Sequence, residues 1–333
     1  TGEASILAIL MMIFGVAILL LNQISVKSRK SYTTVTGKSG QISKFNLGRS
    51  GKYIIAIILI IITFFTSIFP IVSFAFETFL PNPGDYSFLY TGDPDNLTTK
   101  WWVTNENITE NGMYGQQGIL YNDMIWHAYK GTIMVSVCCA LTAGTIGTLI
   151  GYAVSKNRRS RWANYVNSVA FLPYLMPSIA VGVAFFILFS NKYVNLFNTY
   201  ALLIIVGTVK YIPFASRSSL NSMLQLSGEI EEAAIIQDIP WTKRMTRIII
   251  PIQKTSIISG YLLPFMTCLR ELSLFILLCV QGFILSTTLD YFDEMGLYAF
   301  SSGINLILIV TILICNALVN KATGASLDKG IGG

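Results

Sequence analysis

Seven stretches of the chain stay apolar long enough to cross a bilayer, and the polar residues between them come in blocks of alternating sign. The stretches are Ala4 to Leu21, Tyr53 to Phe76, Gly131 to Val154, Trp162 to Ser190, Thr199 to Ser219, Ser256 to Gln281 and Ile304 to Asn320. A spanning helix needs about 20 mostly apolar residues, whereas a spanning β-strand needs only about 10. The pattern therefore predicts an all-α, polytopic membrane helical bundle and not a β-barrel.

The charge blocks set the orientation, because short cytoplasmic loops hold the excess of Lys and Arg. Lys27, Arg29, Lys30, Lys38, Lys44, Arg49 and Lys52 follow the first span without an acid among them, while Glu77 to Asp123 holds seven acids against one base, Lys100. Lys156, Arg158, Arg159 and Arg161 lie inside again, as do Lys243, Arg244, Arg247 and Lys254, with Asp290, Asp293 and Glu294 outside. This predicts an N-terminus outside and a cytoplasmic C-terminus in a plasma membrane. Trp126 with Tyr121 and Tyr129, and Trp162 with Tyr165, fall at span ends where amphipathic rings favour the interface.

Composition agrees with the pattern. Of 333 residues 53% are hydrophobic and only 12% charged, about half the charge density of a soluble domain. The net charge of +6 is explained by the basic inner loops, which argues against nucleic acid as a partner. The five cysteines all fall inside predicted spans and read as small apolar packing residues, and the single histidine, His127, removes the usual zinc constellations. Gly37, Lys38 and Ser39 resemble the end of a phosphate loop, but Tyr32 stands where its leading glycine belongs. No nucleotide site, catalytic residue, metal or directly bound cofactor is expected.

Two segments carry more information. The outer segment 77–126 is long for a connection, and its aromatics Tyr86, Phe88, Tyr90, Trp101, Trp102 and Tyr114 predict that it folds. In the cytoplasmic stretch 227–251, Ser227 is expected to cap a short helix whose first turns hold Glu229, Glu231 and Glu232, and Pro240 to stop it. Lys243, Arg244 and Arg247 then open a second short helix leading to Pro251. Such a hairpin at a membrane edge is a docking element or a solvated connector. Arg270 and Glu271 interrupt an apolar span; ionisable residues at that depth mark a pathway, an ion pair or a partner contact. Being adjacent on a helix they would face different ways and lock two neighbours, or with Ser273 line a route.

Glu232-Ala233-Ala234, followed by apolar positions and then Pro251 near the start of a span, resembles the EAA loop of binding-protein-dependent ABC transporter permeases, the MetI-like core. The flanking runs Lys210-Tyr211-Ile212-Pro213-Phe214-Ala215-Ser216-Arg217 and Leu269-Arg270-Glu271-Leu272-Ser273 resemble it too, as do Pro173 and Pro177. The Arg-Glu-Leu-Ser run is similar to the ferric-iron subgroup, in which two permease halves are often fused.

The resemblance implies a permease domain over 53–323, with a coupling loop whose Glu231, Glu232, Ala233, Ala234, Asp238 and Pro251 meet a cytoplasmic ATPase dimer that holds the ATP. It also implies an extracytoplasmic substrate-binding protein and a second permease half, fused or separate. On this reading 1–22 is the last helix of a preceding half, 23–52 a basic linker and 324–333 a tail, with Thr1 marking a fragment. Asp238 stands where the family has Gly and Thr255 where a second proline often follows; Asp tolerates left-handed backbone better than most residues. Sulfate, molybdate, phosphonate or polyamine are the alternative cargoes. A membrane-embedded enzyme would need a carboxylate pair or a His/Cys cluster inside the spans, and a scaffold or sensor a large soluble domain.

Overall fold

The computed structural model describes residues 48–87, 97–108 and 115–323, with isolated positions 6, 10, 13, 17 and 90. Most of the predicted first span, most of the 23–52 linker and the 324–333 tail lie outside the described residues. The helices are α1 (Gly48–Thr63), α2 (Phe69–Glu77), α3 (Lys100–Val103), α4 (Asp123–Lys156), α5 (Arg161–Leu175), α6 (Ser178–Phe189), α7 (Tyr200–Gln225), α8 (Gly228–Ile236), α9 (Trp241–Arg244), α10 (Ile250–Ile252), α11 (Lys254–Leu269), α12 (Leu285–Glu294) and α13 (Tyr298–Thr323). A π-helical turn, Phe64–Ile68, joins α1 to α2, and another, Met245–Ile249, joins α9 to α10.

Among the described residues four helices are long and apolar enough to cross a membrane: Ser50–Glu77, Asp123–Lys156, Tyr200–Gln225 and Tyr298–Lys321. Two more spans arise only if bent pairs are counted, α5 with α6 at 101° and Trp241–Ile252 with α11 at 86°. The predicted span Trp162 to Ser190 is thus broken. Pro177 is the cause: it pushes Met176 into extended backbone (φ −79°, ψ 134°), which α5 cannot continue.

The predicted span Ser256 to Gln281 is corrected more deeply. Its helix is α11 and ends at Leu269, and residues 270–284 form consecutive turns. Irregular backbone at membrane depth is tolerated only where protein covers it and satisfies its polar groups. Both conditions are met here. Leu274, Phe275 and Leu278 are at most 1% exposed and pack against Val135, Cys139, Leu202 and Val206. Asn198 N–H donates to the Leu278 carbonyl at 3.0 Å, and Val280 N–H to the Asn198 side chain at 3.0 Å. Leu285 N–H donates to Thr132 Oγ1 at 2.7 Å.

The core forms where α4, α7 and α11 cross. Glycines on the face of α4 permit it: a Cβ on Gly147 would stand 2.5 Å from the Ala215 Cβ of α7, and one on Gly144 2.4 Å from the Tyr261 ring of α11. Small residues at such crossings let backbones approach where lipid supplies no hydrophobic drive. Cys139 and Cys268 are buried in the bundle and all five cysteines are free thiols. Side-chain caps start the long helices, Asn122 accepting from Ile125 N–H for α4 and Thr199 from Leu202 N–H for α7.

The acidic segment ahead of α4 is ordered where described. Trp101, 8% exposed, donates its indole N–H to the Leu80 carbonyl at 2.7 Å and stacks edge-on against Phe300. Ile119 is fully buried and donates its N–H to the Trp101 carbonyl. Tyr86 donates to Glu77, whereas Tyr90 is 91% exposed. Phe88 and Tyr114 lie outside the described residues.

Candidate coupling loop and intramembrane polar cluster

The cytoplasmic hairpin is assembled around Glu231. This residue is 4% exposed, on the inward face of α8. Tyr152, near the end of α4, donates to Glu231 Oε1 at 2.5 Å, and Arg244 of α9 donates its Nε–H to the same oxygen at 3.1 Å. Lys156, the last residue of α4, forms an ion pair with Oε2. Burial pushes the Glu231 carboxyl upward, but the Lys156, Tyr152 and Arg244 contacts outweigh it and hold the group below the usual carboxylate range. Glu231 therefore faces the rest of the bundle and pins α8 to the end of α4.

The other loop residues divide by face. Ala234 is buried against the bundle at 4% exposure. Glu232 and Ala233 are exposed beside Ile230, Ile235 and Ile236, the last of them 83% exposed. Ser227 is the N-cap residue of α8 but makes no capping hydrogen bond, contrary to expectation. The helix ends at Ile236, before Pro240, and Asp238 takes left-handed backbone with φ 52°. Arg244 also donates to the Ile239 carbonyl at 3.3 Å, closing the turn. Pro251 is exposed in α10, which continues directly from the π-helical turn Met245–Ile249.

Arg270 and Glu271 do not interrupt a helix. Arg270 is the C-cap residue of α11 and Glu271 begins the irregular stretch, so they follow no helical spacing. Glu271 Oε2 accepts from Tyr211 Oη of α7 at 2.9 Å, and its Oε1 from Leu274 N–H at 3.1 Å. Its carbonyl accepts from Ser286 of α12 at 2.7 Å. Arg270 and Ser273 are exposed, and Arg270 forms no ion pair among the described residues.

Lys210, one residue before Tyr211, serves the other break. It is 8% exposed, and its Nζ donates to the carbonyls of Pro173 at 3.0 Å and Met176 at 2.6 Å. These belong to the last turn of α5 and the kink after it. A cation there satisfies orphan carbonyls and opposes the negative end of the helix dipole. Consecutive residues of α7 thus hold both broken elements. From the sequence, Lys210 and Tyr211 stood out only as part of a flanking run and Lys156 and Arg244 only as inner-loop charges, while Tyr152 was not singled out. A lone lysine inside an apolar run was the available signal for Lys210; the partners of Glu231 had none, being ordinary inner-loop charges.

Residues 143–325 match the family described as binding-protein-dependent transport system inner membrane component. A Haemophilus influenzae protein named as a ferric transport system permease is 24% identical over 83% of this chain and 40% of its own length. The ferric transport system permease protein FbpB of Actinobacillus pleuropneumoniae is 22% identical over 83% of this chain and 37% of its own length. The chain thus spans about two fifths of the length of these relatives. The putrescine transport system permease protein PotI of Escherichia coli is 26% identical over 59% of the chain and 68% of its own length. A crystal structure of a bacterial ABC transporter involved in the import of the acidic polysaccharide alginate shares the fold at TM-score 0.57, with 17% identity over 82% of this chain and 98% of that one. With the family match covering more than half its length, and with the multi-helix membrane fold to go with it, the chain belongs to the inner membrane components of binding-protein-dependent transport systems, the MetI-like ABC permeases.

Proposed function

We propose that this chain is the translocating half of an ABC importer and that α8 is the element by which a separate cytoplasmic ATPase dimer drives it. The observation that carries this reading is the division of α8 into two faces. Glu231 and Ala234 are held against the bundle, and Glu232, Ala233, Ile235 and Ile236 are left open. An amphipathic helix with small and apolar residues outward fits a groove on a partner. The ATP belongs to that partner, and a second permease half, fused or separate, completes the route.

Cargo is delivered by an extracytoplasmic binding protein that docks with the help of the 77–126 segment, and we assign the cargo as ferric iron. The Arg270-Glu271-Leu272-Ser273 run and the two ferric relatives support this cargo. The putrescine relative, and a molybdate/tungstate transport system permease of Pyrococcus abyssi at 22% identity over 57% of the chain, keep polyamine and oxyanion as the competing cargoes. The N-terminus lies outside and the C-terminus in the cytoplasm.

Mild-detergent purification from the native membrane, followed by mass spectrometry, tests the reading. Co-purification of an ATP-binding cassette subunit and an extracytoplasmic binding protein is expected. Recovery without any ATPase, from a preparation in which known permease complexes stay intact, returns α8 to the status of a connector. Uptake of labelled ferric iron against molybdate and putrescine in vesicles then decides the cargo.

A further inference from the structure

The apolar stretches of this chain hold three bases, Lys210, Arg217 and Arg270, against one acid, Glu271. Lys210 and Glu271 are accounted for: the lysine caps the carbonyls of Pro173 and Met176, and the glutamate accepts from Tyr211 Oη and Leu274 N–H with one oxygen each. The two arginines are left over. Arg217, in α7, makes no hydrogen bond or ion pair to any described residue; its Nε is buried without an acceptor, and its guanidinium carbon lies 4.3 Å from the centre of the Phe171 ring of α5. Arg270 is exposed and equally without a counter-charge among the described residues.

Depth decides what can answer these cations. At 1.5 Å per residue, Arg217 stands about 12 Å before α7 ends at Gln225, and Phe171 about 15 Å after α5 begins at Arg161. A hydrocarbon layer is about 30 Å thick, so this guanidinium sits near mid-depth, out of reach of lipid phosphates. Arg270 is held through its neighbour Glu271 at the level of Tyr211, about 9 Å farther from the α8 end of α7. It heads the irregular stretch 270–284, whose open face also shows Ser273, Ile276 and Leu277. Irregular backbone bearing a charge does not face lipid; it lines a route or meets a partner.

Unpaired arginines at two depths, with the one acid turned inward to Tyr211, suit a passing anion. Positive side chains line pores for anions and phosphate, acidic ones line pores for cations, and the guanidinium fork matches the oxygens of an oxyanion. We propose that Arg270 and Arg217 are successive contacts for a cargo that crosses as an oxygen-bearing anion. This rests on the transport reading above and narrows its cargo to an oxyanion group, carried either by an anionic complex of ferric iron or by a free oxyanion, and not to a bare cation or a polyamine.

The test uses the whole transporter in liposomes with its binding protein and follows uptake of ferric citrate, radiolabelled on the iron or on the citrate, beside labelled molybdate and labelled putrescine. Iron and citrate labels that enter together assign the ferric complex, and molybdate uptake alone assigns the free oxyanion. Iron that enters without its anion overturns the proposal, as does uptake of putrescine. Arg270→Gln is expected to slow uptake about tenfold and Arg217→Gln several-fold, while Arg270→Lys, which keeps the charge, retains most of the rate. Melting temperature in detergent should hold in all three, because neither arginine has a partner in the bundle to lose. Wild-type rates in both glutamine variants overturn the proposal; so does a loss of uptake that comes with a lower melting temperature or a lost subunit, which makes the arginines structural contacts. If the wild-type complex shows no binding-protein-stimulated ATP hydrolysis, the transport reading fails and this proposal with it.

Discussion

Two polar clusters hold this molecule's broken elements in place, and they do so with different chemistry. At the cytoplasmic edge Glu231 meets charges, Lys156 and Arg244, with Tyr152 sharing an oxygen. Inside the bundle Lys210 meets backbone carbonyls and Glu271 meets a phenol and an N–H, so each ionisable group is partnered by neutral dipoles. Charge pairing suits a joint that must move as one piece, since opposite charges attract over distance and tolerate small shifts. Dipole pairing suits a joint that must keep its shape, because it depends on short, directed hydrogen bonds.

Reversing the charge at the first cluster should have the largest effect. Glu231→Lys would bring three cations together where a buried carboxylate pairs with the part-exposed Lys156 and with Arg244, and losing those charge-assisted contacts should cost about 1 to 3 kcal/mol. Binding-protein-stimulated ATPase activity should fall more than tenfold while insertion into the membrane persists. The double variant Glu231→Lys with Lys156→Glu should recover part of it. No recovery, in a protein that still inserts, would show that the ion pair is not the link between α8 and α4.

The same cluster has a pH signature. Because the folded-state pKa of Glu231 is lowered, its contribution to holding α8 is fully present above the ordinary glutamate value, near 4.3, and is lost as pH falls through the lower folded value. Proteolytic nicking of the 227–251 loop should therefore stay constant from neutral pH down to about 5 and rise only in stronger acid. Onset near neutrality would mean that Glu231 is not held ionised.

Lys210→Met comes next. It leaves the Pro173 and Met176 carbonyls without their donor, at about 1 to 3 kcal/mol for each buried group, and should lower the melting temperature in detergent markedly. Tyr211→Phe removes a single hydrogen bond to Glu271 and should cost about 1 kcal/mol. If the two variants melt alike, the contrast between carbonyl capping and a lone phenol contact is wrong. Smallest of all, Asp238→Gly relieves left-handed backbone at φ 52° and should change stability by less than about 1 kcal/mol, with transport retained.

Much of the architecture was legible in one dimension. Lipid imposes length and hydropathy on every helix that crosses it, so Tyr53 to Phe76, Gly131 to Val154 and Ile304 to Asn320 fall within three of the long helices, and Thr199 to Ser219 matches the fourth from its N-cap onward. The two short helices of 227–251 were legible because charge and proline mark them, and the left-handed backbone at Asp238 agrees with the turn expected there. Hydropathy failed at 270–284, since Leu274 to Val280 is as apolar as any helix. Whether such a run continues as a helix depends on whether neighbours such as Asn198, Thr132 and Ser286 can satisfy its backbone.

The division follows from the range of the forces. Burial in lipid and the positive-inside bias act on each segment by itself, so residue order alone determined that this chain is a helical membrane protein and where most of its helices lie. Which side of α8 Glu231 faces and which carbonyls Lys210 caps depend on residues far apart in sequence. Those pairings exist only once α4, α7 and α11 have packed through their small residues and brought the separate polar groups within hydrogen-bonding distance.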